Sequence, residues 1–523
     1  MLAIRKVNLP SKVSATRRLL HASTKMSRDY AAAVAALNTL QSNFSIVDAI
    51  RKSGRGMNKQ AIPEMVEWCR KIGYEPADFN ILNPIHIAGT KGKGSTSAFI
   101  SSILAQYAKS PAVSNKLSKT GLYTSPHLRF VRERIEINDK PLSERSFAKY
   151  FFEIWDLLET AARRDGHPNP SDPSAKPVYF RFLTLLAFHA YMKEGVDAAV
   201  IECGIGGEYD STNILVQPSV TGITSLGIDH TAMLGNTVEE IAWHKSGIFK
   251  AGVPAYTVQQ PDAAINVLRQ RAAEKGADLH VVQRHSELDQ LNLGLAADFQ
   301  KTNASLAIAI AAAHLRKLGL ADIPENIADS LPHEFRMGLE KVRWPGRCET
   351  RREGKVVWHL DGGHTLDSIK VAGEWFASRI PSAKRSRTSK RILIFNQQTR
   401  DAAALARALH STLVTALGDE RPFTHAVFCT NTTFTETGFK PDLVSVNTNA
   451  SDVESLSVQK GLAETWAKID QETEVKVMRT IEEAVAFARK VGDANDEEEV
   501  LVLITGSLHL VGGVLEVLES PVP

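Results

Sequence analysis

The residues most suited to chemistry lie between Pro84 and Tyr107, where Ile85-His-Ile-Ala88 runs into Gly89-Thr-Lys-Gly-Lys-Gly-Ser95. Ile85 to Ala88 predicts a short buried strand and Gly89 to Gly94 a turn, with a helix opening at Ser95 or Thr96. Glycines at 89, 92 and 94 free the backbone to turn the amides of Thr90, Lys91 and their neighbours toward one point. The helix N-terminus behind them adds unpaired N–H groups and a partial positive charge. Lys93 is placed to reach the outer phosphates of a nucleotide, and the Ser95 or Thr96 hydroxyl to face a magnesium ion. The spacing departs from the usual phosphate-loop pattern. Ile87 stands where the leading glycine belongs, and Gly94 separates Lys93 from Ser95. Taken alone, the stretch is equally an ordinary glycine-rich strand-to-helix turn.

Further polar residues recur where apolar runs end. Ser125 follows Gly121-Leu-Tyr-Thr124, Glu202 closes Val196-Asp-Ala-Ala-Val-Ile, and Asp229-His230 follow the run Pro218 to Leu226. Ligands of open α/β sheets bind at the carboxyl ends of strands, and an acid closing an apolar strand beside a phosphate loop suits magnesium. Each also has a plain structural reading: a Ser-Pro turn capping its own backbone, a strand-end acid capping the next turn, a hydrogen-bonded histidine. Lys245, on an expected helix Thr237–Phe249, reads alone as a solvated lysine. Arg347 and the turn residue Asp361 read alone as structural.

These groups need a frame. Alanine-rich Asp29–Leu40 and amphipathic Ile62–Ile72 read as helices, Tyr179–Tyr191 as a buried helix, and 251–285 as strand, helix, strand. Leu331–Lys341 reads as an interdomain linker. Beyond it, strands are expected at Val356–Leu360, Arg391–Phe395, Ala426–Cys429 and Val500–Ile504, alternating with helices, so a second mostly parallel sheet is predicted. The expected architecture is α/β in two domains, an N-terminal phosphate-loop domain at 29–342 and a smaller C-terminal one at 343–523.

Length and composition agree with this frame. A chain of 523 residues exceeds one hydrophobic core. The four cysteines, Cys69, Cys203, Cys348 and Cys429, are far apart, which points to a reducing compartment. No apolar run approaches the roughly 18 residues of a membrane span. The formal charge of +3 conceals an asymmetry, since residues 1–28 hold seven basic residues and no acid. The remainder has 55 basic and 59 acidic residues, net −4, which speaks against a nucleic-acid partner. The basic, Ser/Thr-bearing start reads as a mitochondrial presequence or as a disordered basic tail, and a start at Met26 would give a cytosolic form. No pattern of repeats or heptads calls for an assembly, so a monomer is expected.

Five strings, in order, resemble one family: Gly89-Thr-Lys-Gly-Lys-Gly-Ser95, Thr124-Ser-Pro-His127, Ile201-Glu-Cys-Gly-Ile-Gly-Gly207, Asp229-His230 through Lys245-Ser-Gly, and Trp344-Pro-Gly-Arg347 with Asp361-Gly-Gly-His364. The chain resembles the Mur-ligase superfamily and, within it, the eukaryotic folylpolyglutamate synthase branch. The resemblance implies a Mur-ligase-like ATPase domain and a Rossmann-like second domain. It also implies ATP-dependent addition of L-glutamate to a reduced folate, or to dihydropteroate in the sister activity. By it, Gly89 to Ser95 bind ATP with Lys93 catalytic, and Ser125, Glu202 and His230 hold magnesium. Lys245 would be carbamylated, a monovalent cation such as K+ would assist, and the loop through Arg134 would approach the folate. Asn303, near Gln300, would meet the adenine, although Phe299 replaces the family's usual histidine. Arg347 and Asp361 would reach ATP from the second domain.

Overall fold

The computed structural model describes residues 27–41, 59–109, 115–380 except 321, 322, 325 and 329, 390–438 except 399, 441–443, 450–494 and 499–520. Residues 1–26, which cover most of the segment expected as a presequence, most of the basic loop Lys384–Arg391 and residues 496–498 of the acidic loop before the last strand lie outside the described residues.

Two sheets organise the chain. The first contains β1 (Ile85–Ala88), β2 (Thr120–Tyr123), β3 (Ile135–Ile137), β4 (Lys140–Pro141), β5 (Ala198–Glu202), β6 (Val220–Ile223), β7 (Pro254–Val258) and β8 (Asp278–Val282). Their order is β4-β3-β2-β5-β1-β6-β7-β8. β1 lies at the centre, parallel to β5 and β6, and only the β2-β3-β4 edge is antiparallel. β1, β2, β5 and β6 are buried along their whole length, as expected of parallel strands covered on both faces. Their carboxyl ends therefore meet at one rim, which carries Gly89, Thr124, Glu202 and Thr224.

Helices cover the faces. Lys93–Ala108 is buried on nearly every side, and Gln300–Lys317 packs beside it. The segment expected as a linker is instead a helix, His333–Lys341, seated on Lys93–Ala108. A Cβ at Gly338 would stand 2.7 Å from Ile103 Cα, and Ser102 Oγ donates to Gly338 O at 2.7 Å. This close approach makes the segment part of the first domain's core. Glu144–Arg164, started by a Ser143 cap, adds a helix to the expected set and packs against Tyr30–Asn38 through the Tyr30 and Phe147 rings, 5.4 Å apart.

The second sheet contains β9 (Glu349–Glu353), β10 (Val356–Leu360), β11 (Arg391–Phe395), β12 (His425–Cys429), β13 (Glu474–Met478) and β14 (Val500–Thr505), ordered β13-β12-β11-β14-β10-β9. The four expected strands form its parallel interior. β9, antiparallel, and β13, parallel, are added at the two edges. Both added strands are rich in charge, as solvent-facing edges tend to be. All four cysteines are buried and free. No helix among the described residues is long and apolar enough to cross a membrane.

Candidate active-site cleft

The rim of the first sheet faces the second domain across a cleft of about 2140 Å3. That is roughly twice the upper end of ordinary small-ligand cavities, room for more than one substrate.

The phosphate loop is shaped by two close approaches. Gly89 has φ +147°, and a Cβ there would fall 1.8 Å from Thr224 Oγ1. Gly92 has φ +89°, and its Cβ would meet Asn303 Oδ1 at 2.2 Å. Only glycine fits either place. Gly92 in the left-handed conformation starts the helix at Lys93, two residues before the expected opening at Ser95. Ser95 lines the cleft and accepts from Gln300 Nε2 at 3.2 Å, whereas the Thr96 hydroxyl is buried in the core without a partner. Asn303 is buried behind the loop and donates to Gln300 Oε1 at 2.8 Å. Gly94 lies under the Trp344 indole, with the ring 3.2 Å from where a Cβ would be.

Two lysines converge on one carbonyl. Lys93 Nζ donates to Gly89 O at 3.1 Å and the fully buried Lys245 Nζ donates to the same oxygen at 2.6 Å. Burial first, and the Lys93 charge second, bring the Lys245 ammonium down to about 7. Lys245 is therefore not the solvated helix lysine of the plain reading. Its helix, Val238–Lys245, is shorter than expected, and Ser246–Ile248 continues as a 3-10 turn.

Opposite stand the acids. Glu202 is buried, and its carboxylate Oε2 accepts from Ser125 N at 3.1 Å, which joins two of the sequence candidates. Burial pushes its carboxyl up, against the pull of Lys93. His230 turns the chain at φ 51° and caps a one-turn helix, Thr231–Leu234. Burial lowers its imidazole to about 4 despite Asp229, so the ring is neutral at pH 7. Burial would raise the Asp229 carboxyl, yet His230, Lys91 and Arg400 together hold it well below the usual range.

The second domain closes the cleft with its turns. Asp361 ends β10 and accepts from Cys348 N at 3.0 Å and Gly363 N at 2.8 Å. Burial raises its carboxyl against the adjacent Arg347 guanidinium. Two of the contacts that join the domains lie beside the phosphate loop: Lys91 Nζ to Thr365 Oγ1 at 2.7 Å, and Arg400 Nη2 to Asp229 Oδ1 at 3.0 Å. Sequence reasoning missed Thr365 and Arg400. Thr365 carries a signal, since Thr365-x-x-Ser368 is a helix capping pattern. Arg400 carries none.

The chain matches no protein-family model. It is 46% identical over 495 residues to the folylpolyglutamate synthase of Neurospora crassa, covering 94% of this chain and 92% of the relative. It is 47% identical over 497 residues to that of Saccharomyces cerevisiae strain FostersO, covering 94% and 87%. The chain belongs to the folylpolyglutamate synthase family. Solved structures share the family's fold. The Mycobacterium tuberculosis folylpolyglutamate synthase complexed with ADP and AMPPCP has a TM-score of 0.65 at 21% identity, covering 94% of this chain and all of that one. E. coli FolC in complex with DHPP and ADP has 0.62 at 24%, covering 94% and 98%.

A magnesium ion fits what the residues offer. Glu202 is an undercompensated buried carboxylate, with the Ser125 and His230 side chains on the same cleft. No group of three or more His, Cys, Asp or Glu suited to a metal occurs among the described residues. The protein's share is thus a partial shell. Magnesium commonly keeps water and substrate phosphate as its other ligands.

Proposed function

We propose that this folylpolyglutamate synthase family member joins L-glutamate to the γ-carboxylate of a reduced folate at the expense of ATP, through an acyl phosphate. The observation that carries the reading is the meeting of Lys93, Lys245 and Glu202 on one sheet rim with Arg347 and Asp361 across the cleft. A carboxylate resists amide formation because its leaving group would be oxide. Attack of the γ-carboxylate oxygen on the γ-phosphorus of ATP expels ADP and leaves a good leaving group. The glutamate amine then attacks the acyl carbon, loses a proton, and phosphate departs.

The chain's part is positioning and charge neutralisation. The amides of Gly89 to Ser95 cradle the triphosphate, and Lys93 exchanges its bond to Gly89 O for a phosphate oxygen. Ser125, Glu202 and His230 would hold a magnesium ion, which would supply positive charge at the transferring phosphoryl group. The depressed Lys245 amine is neutral often enough to take up CO2 as a carbamate, an anion suited to a second ion. A monovalent cation such as K+ belongs to the same proposal. Asn303 supports the nucleotide from behind the loop. Arg347 and Asp361 clamp it as the domains close and exclude water that would hydrolyse the acyl phosphate.

The proposal also places the protein in mitochondria through residues 1–28, with a cytosolic form from Met26, acting as a monomer in one-carbon metabolism. The test is ADP release with ATP, magnesium and glutamate, comparing tetrahydrofolate with dihydropteroate. Release with tetrahydrofolate and a product heavier by glutamate supports the proposal. Release with dihydropteroate alone moves it to dihydrofolate synthesis, and no glutamate-dependent release with either removes ligation.

A further inference from the structure

The loop Ser125–Arg134 belongs to the first domain by sequence, yet the second domain grips it at several points. Leu128 packs into the second domain's core, and its carbonyl lies against Gly512, where a Cβ would be 1.9 Å away. Arg129 donates to Glu516 Oε2 at 3.0 and 2.8 Å and pairs with Glu519. Val131 N donates to Asp442 Oδ1 at 2.8 Å, and Tyr30 Oη of the first helix donates to the same oxygen. A loop that starts at Ser125, beside Glu202, and ends at the buried Arg134 is thus mounted on the opposite domain.

His127 is the one side chain that joins both ends of this arrangement. Its Nδ1 lies 3.0 Å from Arg134 Nε, and its Nε2 lies 2.7 Å from Asp442 O. Arginine only donates and a carbonyl only accepts, so Nδ1 accepts and Nε2 carries the hydrogen. Arg134 lines the cleft, its guanidinium lies over the Tyr179 ring at 5.6 Å, and it has no carboxylate partner among the described residues. The chain of bonds runs from Asp442, through His127, to a cation facing the substrates.

We propose that His127 is a positioning residue for ligation: by bonding Arg134 to the Asp442 carbonyl it aims that cation into the cleft only while the second domain is docked. This rests on the ligase reading above. A misplacement of about 1 Å in a positioning group costs on the order of 100-fold in rate. The loop would thus make turnover depend on domain docking without touching the phosphate loop.

The experiment compares His127→Leu with His127→Gln, whose amide oxygen and nitrogen can replace the acceptor and donor. Steady-state ligation of tetrahydrofolate is measured beside binding of a non-hydrolysable ATP analogue. His127→Leu is expected to lower kcat/KM for tetrahydrofolate by about 30-fold or more, with analogue affinity within about threefold of wild type. His127→Gln is expected to recover activity to within about fivefold of wild type. Wild-type kinetics in His127→Leu, equal damage in both variants, or parallel loss of nucleotide affinity would each overturn the proposal. Should His127→Leu fail to fold, Arg134→Gln removes the cation that His127 holds, and unchanged kcat and KM there overturn it equally. Wild-type protein that does not ligate refutes the proposed function instead, so the two failures are distinct.

Discussion

In the first domain the chemically active groups close buried parallel strands or sit directly behind them, whereas in the second they stand on turns. Glu202 ends β5, and Lys245 is fully buried against the Gly89 carbonyl. Asp361, Thr365 and Arg400 lie instead in connections between second-domain elements. The first domain has thus paid in advance for desolvated charge, visible in a raised Glu202 and a depressed Lys245. The second holds one such group, the buried Asp361, and beside the phosphate loop it meets the first through the partly exposed Lys91 and Arg400. Most of the desolvated charge is thus held by one side.

That contrast can be broken most sharply at Lys93. Lys93→Ala is expected to abolish glutamate-dependent ADP release, a loss of about 1000-fold or more, with an unchanged thermal unfolding curve. Near-normal turnover would remove Lys93 from the mechanism. Glu202→Gln should lower turnover by roughly 100-fold yet raise stability near pH 8, by on the order of 2 °C in Tm. The sign follows from its raised carboxyl, because the ionised form is the costly one in the folded state. The gain should shrink as pH falls toward the ordinary value of 4.5, and a Tm drop at pH 8 would contradict it.

Arg400→Ala should act more mildly, slowing turnover by about tenfold while leaving stability within about 0.5 kcal/mol, since it breaks an interdomain pair and no buried frame. A loss as large as that of Lys93→Ala would erase the distinction between the domains. The smallest effect is a slope. Lys245 is depressed to about 7 in the folded chain against 10.5 ordinarily, so the unfolded chain binds more protons between those values and stability should rise with pH across that window. Lys245→Met should flatten that part of the stability profile in urea titrations.

Much of this frame is legible in the residues. The interior strands β1, β5, β10, β11 and β14 are short apolar runs between turn signals. The edge strand β9, Glu-Thr-Arg-Arg-Glu, escapes notice because it has no hydrophobic pattern, and β13 carries only a short alternation, Val475 and Val477, between charges. Leu331–Lys341 reads as a linker because Pro332 and its charged residues draw attention first, although Leu331, Phe335 and Leu339 recur at helical spacing and are buried. Gly338 lets this helix sit backbone to backbone on the core. Among the site residues, those at strand ends announce themselves by position. Arg400 does not, because its meaning depends on Asp229, 171 residues away. The Gly89 oxygen shared by Lys93 and Lys245 is equally invisible, since a carbonyl has no letter.

The first helix has a consequence for how the molecule is made. Tyr30 bonds Asp442, and Asn38 Nδ2 donates to Pro441 O at 2.9 Å, so the segment synthesised earliest is held in part by one of the latest. At ribosomal rates of about 5–20 residues per second, some 400 residues must follow before that clasp can form, on the order of 20 to 80 s. Until then Tyr30–Asn38 relies on first-domain packing such as that on Glu144–Arg164. A nascent chain stopped before Pro441 should therefore expose this helix to proteolysis that the finished protein resists.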